Sequence, residues 1–229
     1  MRGAAARGRP FAVAALAVCG AVLAQSCADP ERERLKSTTK ATYDKATGKL
    51  TELTYDGNKN GRIDTWTEMD GTRPLRSRID SNEDGRVDRW EYYDGAGKLT
   101  KVGFSRKAAD TPDAWAYAGA NGGIDRIEIS SVADPARVDR WEFYDPSNPS
   151  PVSAADNPGT LLRVEEDTNG DGRADKWERY SAGIVSSVEF DENHDGRPDR
   201  RLTYKESELA VIETAPDASG RYQKTISPK

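Results

Sequence analysis

An Asp-x-Trp pair recurs along the chain at Asp64 and Trp66, Asp88 and Trp90, Asp113 and Trp115, Asp139 and Trp141, and Asp175 and Trp177; a sixth copy at Asp199 carries Arg201 in place of Trp. The aspartates stand 24, 25, 26, 36 and 24 residues apart, and all five tryptophans of the protein fall in this register. A unit of about two dozen residues cannot bury a core alone, so neighbouring units must complete one another. The long interval holds a Pro/Ser-rich insertion over residues 145–160, DPSNPSPVSAADNPGT.

Each unit contains two short apolar stretches separated by turn residues, as in VDRWEYY, DGAGK and LTKVGF. Trp90 and Tyr92, Val102 and Phe104, Ile127 and Ile129, and Val188 and Phe190 alternate with a period of two, which predicts strands. The punctuation leaves no room for a helix of useful length. Six such hairpins, with a leading half-unit at 47–55, predict an all-β chain of about a dozen strands in an antiparallel up-and-down meander. Successive turns then alternate between the two ends of the sheet, so the Asp-rich loops all line one end and the Gly turns the other. The periodicity suits an open sheet and a closed one equally. The repeat domain is expected over 41–214, with a polar linker at 27–40 and a loose C-terminal tail at 215–229.

With 35% hydrophobic and 32% charged residues and a mean hydropathy of −0.83, the core must be thin or one-sided. Five Trp, nine Tyr and four Phe exclude a disordered chain and supply the packing that Leu and Ile do not. One Trp per hairpin is expected to stack neighbouring hairpins, with Tyr92, Tyr93, Phe143, Tyr144, Tyr180 and Tyr204 continuing that packing.

Four inter-strand loops share one pattern: DGNKNGRID (56–64), DSNEDGRVD (80–88), DTNGDGRAD (167–175) and DENHDGRPD (191–199). Oxygen-bearing side chains occupy positions 1, 3, 5 and 9: Asp56, Asn58, Asn60 and Asp64; Asp80, Asn82, Asp84 and Asp88; Asp167, Asn169, Asp171 and Asp175; Asp191, Asn193, Asp195 and Asp199. Gly at position 6 permits a sharp bend, and a hard cation such as calcium takes six to eight oxygens. Calcium is therefore the expected cofactor. The same residue types also build metal-free Asx turns, in which the Arg at position 7 would neutralise the carboxylates. Two further loops, SRKAADTPD (105–113) and SVADPARVD (131–139), have lost most of the ligands and are expected to hold no metal.

The four intact loops resemble the calcium loops of EF-hand and dockerin proteins and the Asp/Asn-Gly loops of thrombospondin-type repeats. The resemblance covers a dozen residues per loop and implies a bidentate ligand at position 12, which Glu91 and Glu178 supply and which Thr67 and Leu202 do not. It also leaves a helical rival open, a helix-loop-helix protein used for calcium-dependent docking.

Residues 1–26 read as a targeting segment, with Arg2, Arg7 and Arg9 ahead of an apolar run over 11–23 that is too short to span comfortably. The stretch Leu23-Ala24-Gln25-Ser26-Cys27 resembles the lipobox of bacterial lipoproteins, which implies acylation of Cys27 and a place at the bacterial cell envelope; the alternative is a plain secretory signal with a chance Cys and a secreted or periplasmic protein. Ala28 after that Cys implies the outer membrane. Without the three Arg of the leader the formal charge of −5 becomes −8, so nucleic acid is not an expected partner. The membrane is met only through the lipid, and an envelope or extracellular protein or glycan is the expected kind of partner. No catalytic residues are singled out: the one His, His194, sits at loop position 4 and reads as a surface residue, and no nucleophile, zinc or nucleotide motif is present. The expected role is a non-catalytic structural or binding module; a secreted hydrolase with structural calcium is the remaining rival.

Overall fold

A computed structural model describes residues 38–106, 110–155 and 158–228; the leader, Cys27 and most of the linker lie outside the described residues. Among the described residues fifteen strands form one antiparallel sheet in sequence order from first to last, so the fold is all-β and these strands meander without a crossover. The strands are β1 (Thr39–Tyr43), β2 (Leu50–Tyr55), β3 (Thr65–Asp70), β4 (Arg73–Ile79), β5 (Arg89–Tyr93), β6 (Leu99–Phe104), β7 (Ala114–Ala118), β8 (Ile124–Ile129), β9 (Arg140–Pro149), β10 (Gly159–Glu166), β11 (Lys176–Ser181), β12 (Ile184–Phe190), β13 (Arg200–Lys205), β14 (Glu208–Pro216) and β15 (Tyr222–Ile226). From β1 to β15 the one helical element among the described residues is a single 3-10 turn, Val152–Ala154, so the four intact loops are flanked by strands and not by the helices that the docking rival needs.

Two expectations need correction. Residues 215–226, expected as a loose tail, complete the last hairpin, with Ile212 opposite Ile226 and Thr214 opposite Lys224. The insertion is not a plain loop either: it lengthens β9, and its 3-10 turn buries Val152 and Ala155 against Val102, Ala114 and Ala116.

Strand register sorts the side chains onto two faces. Trp66, Arg78, Trp90, Gly103, Trp115, Glu128, Trp141, Glu165 and Trp177 are successive cross-strand partners in one row. Strands lie about 4.8 Å apart, so tryptophans on alternate strands are about 10 Å apart and do not stack on each other. Residues of the strands between fill the gaps. Trp115 leans over Gly103, where a Cβ would meet its ring, and it packs at 5.9 Å from the Tyr92 ring, with the Lys101 ammonium 3.8 Å above its own. The main core is on the other face, in the neighbouring row: Val102, Ala116, Ile127, Val164 and Val188 are buried there, and the insertion covers its centre. The aromatic residues divide accordingly, since Tyr92 and Phe143 share the Trp face while Tyr93 and Tyr144 do not.

That second face also carries a charged ladder. In β5, β9 and β11 a base, a glutamate and a tyrosine stand at i, i+2 and i+4, hence on one side of the strand. Glu91 accepts from Arg89 Nε at 3.0 Å and from the Tyr93 hydroxyl at 2.6 Å. Glu142 accepts from Arg140 Nε at 2.8 Å and from the Tyr144 hydroxyl at 2.5 Å. Glu178 pairs with Lys176 Nζ at 2.7 Å and accepts from the Tyr180 hydroxyl at 2.6 Å. Glu166 ties two of these strands together through Arg140 and Lys176.

The ladder makes stability depend on pH at both extremes. Burial raises the Glu178 carboxyl, but Lys176 and the Tyr180 hydroxyl outweigh it and hold the group below its ordinary 4.5. Burial and then Glu178 push the Tyr180 phenol up from 10.0 to about 12, while Glu166 and Glu178 hold Lys176 above 10.5 against its burial. The depressed carboxylate contributes fully above pH 4.5 and loses its contribution as pH falls below that. The raised phenol contributes fully below pH 10 and loses it as pH climbs towards 12. Urea midpoints measured against pH should therefore fall at both ends, and Glu178→Gln should flatten both limbs while costing about 1–3 kcal/mol at neutral pH.

Candidate metal-binding loops

The four intact loops connect β2 to β3, β4 to β5, β10 to β11 and β12 to β13, which places them at one end of the sheet as two neighbouring pairs with the two ligand-poor loops between. They are part of the sheet's hydrogen bonding and do not dangle from it. In the first pair the Asp64 amide donates to the Tyr55 carbonyl at 3.0 Å and the Asp80 amide to the Asp64 carbonyl at 2.8 Å; Asp175 and Asp191 repeat this at 2.8 Å.

Inside each loop the same side chains hold the same amides. The position 1 carboxylate accepts from the position 6 glycine: Gly61 to Asp56 at 2.9 Å, Gly85 to Asp80 at 2.8 Å, Gly172 to Asp167 at 2.9 Å and Gly196 to Asp191 at 2.7 Å. The position 3 oxygens of Asn58, Asn82, Asn169 and Asn193 accept from the amide two residues on, at 2.8, 3.0, 2.8 and 2.9 Å. Those of Asn60, Asp84, Asp171 and Asp195 at position 5 do the same towards the arginine amides, at 2.7, 2.9, 2.8 and 3.0 Å. At position 9, Asp64, Asp88, Asp175 and Asp199 close the loop by accepting from the position 2 amides of Gly57, Ser81, Thr168 and Glu192. The glycines at position 6 have φ between 85° and 93°, and a Cβ there would meet nothing, so their need is conformational.

Sixteen of the expected ligands are thus gathered loop by loop, and two are not. Glu91 and Glu178 lie in β5 and β11, on the core face, bound to Arg89 and Tyr93 and to Lys176 and Tyr180. Their part is the strand ladder, and the bidentate ligand implied by the EF-hand resemblance is withdrawn. The alternation Arg/Lys-x-Glu-x-Tyr is the signal that could have separated them from the loops, and it also marks Glu142, which the loop pattern did not reach.

A carboxylate that accepts an amide on one lone pair keeps others for a cation, so these turns are compatible with metal. The donor set is mixed Asp and Asn; among the described residues no three His, Cys, Asp or Glu side chains gather at one point. The set nonetheless fits an oxygen-seeking cation at one telling atom: Asp80 is 6% exposed, and its Oδ1 is buried without a hydrogen-bond partner. Asp167, Asp175 and Asp191 are buried as well. Charge separates the loops: the first balances Asp56 and Asp64 with Lys59 and Arg62, whereas the second sets Arg86 alone against Asp80, Glu83, Asp84 and Asp88.

Arginine is used in two ways along this edge. Within the described residues no ion pair joins Arg62, Arg86, Arg173 or Arg197, the position 7 residues, to a carboxylate, although the last three lie in acidic loops. The two ligand-poor loops do the opposite: Arg106 lies 3.5 Å from Asp113 and Arg137 lies 3.7 Å from Asp167. Position 4 side chains reach back to the preceding loop. Glu83 accepts from the side-chain Nδ2 atoms of Asn58 and Asn60, and Asn169 Nδ2 donates to His194 Nδ1 at 2.8 Å, which makes His194 a link between loops and not a bystander.

No family model and no curated protein matches this chain. Among solved structures, S. aureus TarM is similar at 15% identity and a TM-score of 0.31, over 43% of this chain and 21% of that one. The accessory secretory protein 1, 2 and 3 assembly of Streptococcus pneumoniae is similar at 15% identity and a TM-score of 0.28, over 60% and 21%. The TcdB2-TccC3-Cdc42 structure follows at 14% identity and a TM-score of 0.21, over 77% and 11%. The chain thus spans about a fifth or less of those proteins, and scores this low carry no functional argument.

The glycine requirement is directly testable. Gly85→Ala should cost about 1–2 kcal/mol in urea unfolding through left-handed strain alone, since the new methyl has free space. An unchanged midpoint would mean that the loop relaxes out of this turn.

Proposed function

We propose that the protein is a non-catalytic, calcium-braced β-repeat module held at a bacterial cell envelope, at the outer membrane, through a lipid on Cys27. The calcium of each intact loop would be held by the side-chain oxygens of positions 1, 3, 5 and 9. The ion supplies charge neutralisation between the two ends of the loop, and through them between adjacent hairpins.

What supports this reading is the complementary use of arginine. The loops that keep their oxygen ligands leave their own position 7 arginines unpaired with carboxylates; among the described residues Asp167 is the one position 1 carboxylate with an arginine against it, and that arginine, Arg137, comes from a ligand-poor loop, while the other ligand-poor loop sets Arg106 against its own Asp113. Buried carboxylates without a counter-charge repel one another, and a bound divalent ion is the economical remedy. The loop carboxylates are also committed to backbone amides, which suits bracing better than proton transfer. A scaffold of this kind, acidic and projecting from a membrane, suits binding to an envelope protein or glycan.

Sites of this type outside cells bind at about 10⁻⁴ to 10⁻³ M, and an ion at 100 times its Kd adds about 2.7 kcal/mol per site. Titration calorimetry of the protein with calcium should give heat that Asp84→Asn and Asp195→Asn each reduce, and chelator should lower the melting temperature with the β-type dichroism retained below it. Absence of heat together with an unmoved melting temperature would leave the loops as metal-free turns.

A further inference from the structure

Position 4 of the intact loops is left-handed yet carries a side chain three times, as Lys59, Glu83 and His194 at φ 64°, 61° and 59°. The third loop has Gly170 there, at φ 83°. Strain alone does not call for this glycine, because the same turn accepts Lys, Glu and His elsewhere. The neighbour is what differs. The guanidinium of Arg137, from position 7 of the ligand-poor loop 131–139, occupies the place where a Cβ on residue 170 would sit. Its Nη2 lies 3.7 Å from Oδ2 of Asp167, whose side chain is fully buried. Asp167 is position 1 of the third loop and accepts from the amides of Gly170, Asp171 and Gly172, so the guanidinium is set against the carboxylate at the loop's centre.

We propose that Arg137 is a tethered competitor for the cation of the third loop. The inference rests on the calcium reading above. With the guanidinium seated, Asp167 is charge-matched and the loop 167–175 is closed without metal. A divalent ion at the same carboxylate meets a like charge a few ångströms away, so its binding requires Arg137 to swing out. The side chain is 42% exposed and has room in solvent to do so. The four loops are therefore not equivalent. The junction that the long insertion interrupts is braced by the chain's own cation, and the junctions within the two pairs of intact loops depend on a diffusible one.

Calcium titration calorimetry on four forms tests this: the unaltered protein, Arg137→Gln, Gly170→Ala and Arg137→Lys. Arg137→Gln removes the competing charge, and Gly170→Ala expels the guanidinium by its methyl while leaving the charge in the protein, so two unrelated changes should give one result. Each should tighten one calcium site about tenfold, the gain should vanish when Asp171→Asn is added, and Arg137→Lys should fall between. In chelator, Arg137→Gln should melt below the unaltered protein, since Asp167 then has no counter-charge, and dichroism verifies the fold of every form. Calcium binding that is present but equally tight in Arg137→Gln and Gly170→Ala overturns the competitor role and leaves the calcium reading standing. No calcium binding in any form overturns the calcium reading, and the competitor role with it.

Discussion

The fold depends on how an aspartate ends each nine-residue loop. Its carboxylate accepts the amides at the loop's start, as Asp175 does from Thr168 and Asn169, while its own carbonyl receives the first amide of the next loop, as from Asp191 at 2.8 Å. One residue thus closes a turn and carries the sheet's hydrogen bonding into the following hairpin. Register between hairpins follows from that closure. A slip of one residue would exchange the Trp face for the face that buries Val102, Val164 and Val188, which pins the register from the other side.

A sheet fifteen strands wide with its main core over the middle has few apolar contacts to spend, and the structure substitutes charge and aromatic surface. The base-Glu-Tyr ladders give each of the two carboxylate oxygens of Glu91, Glu142 and Glu178 a donor, so neither oxygen is left unpartnered where the face is partly dry. The Gly-turn end carries recurrent register shifts, in β3, β5, β7, β11 and β13 alike, and such bulges add the local twist that a wide sheet needs. Both edge strands, β1 and β15, are polar, largely exposed and bear a lysine, which discourages edge pairing with other chains.

Much of this was written in local sequence. Period-two alternation between Asp-rich and Gly-rich punctuation reports strands and their order directly, because a meander pairs only neighbours. The last hairpin was not legible: β15 reads YQKTI, with neither the loop signature before it nor an apolar face, and it is ordered only by pairing with β14. The insertion's role was hidden too, since Val152 and Ala155 acquire a partner only once the chain has folded over β6 and β7. The Trp row misled in the opposite direction, because in-phase residues one per hairpin lie on every second strand, too far apart to stack. In the loops, positions 1, 3, 5 and 9 were legible because each offset is set by a specific turn. Position 12 was not, because the helix that would swing it back to the metal is a strand here.

The central claim is that a cation completes these loops and thereby stiffens one end of the sheet. Amide hydrogen exchange read residue by residue, in millimolar calcium and again in chelator, addresses it most directly. The amides of Gly85 and Gly196, held by buried position 1 carboxylates, and those of Asp80 and Asp191, which join loop to loop, should exchange markedly more slowly with calcium, while amides near the Gly turns stay unchanged. Equal exchange at these four amides in both solutions would contradict the account and leave the aspartates as turn formers alone.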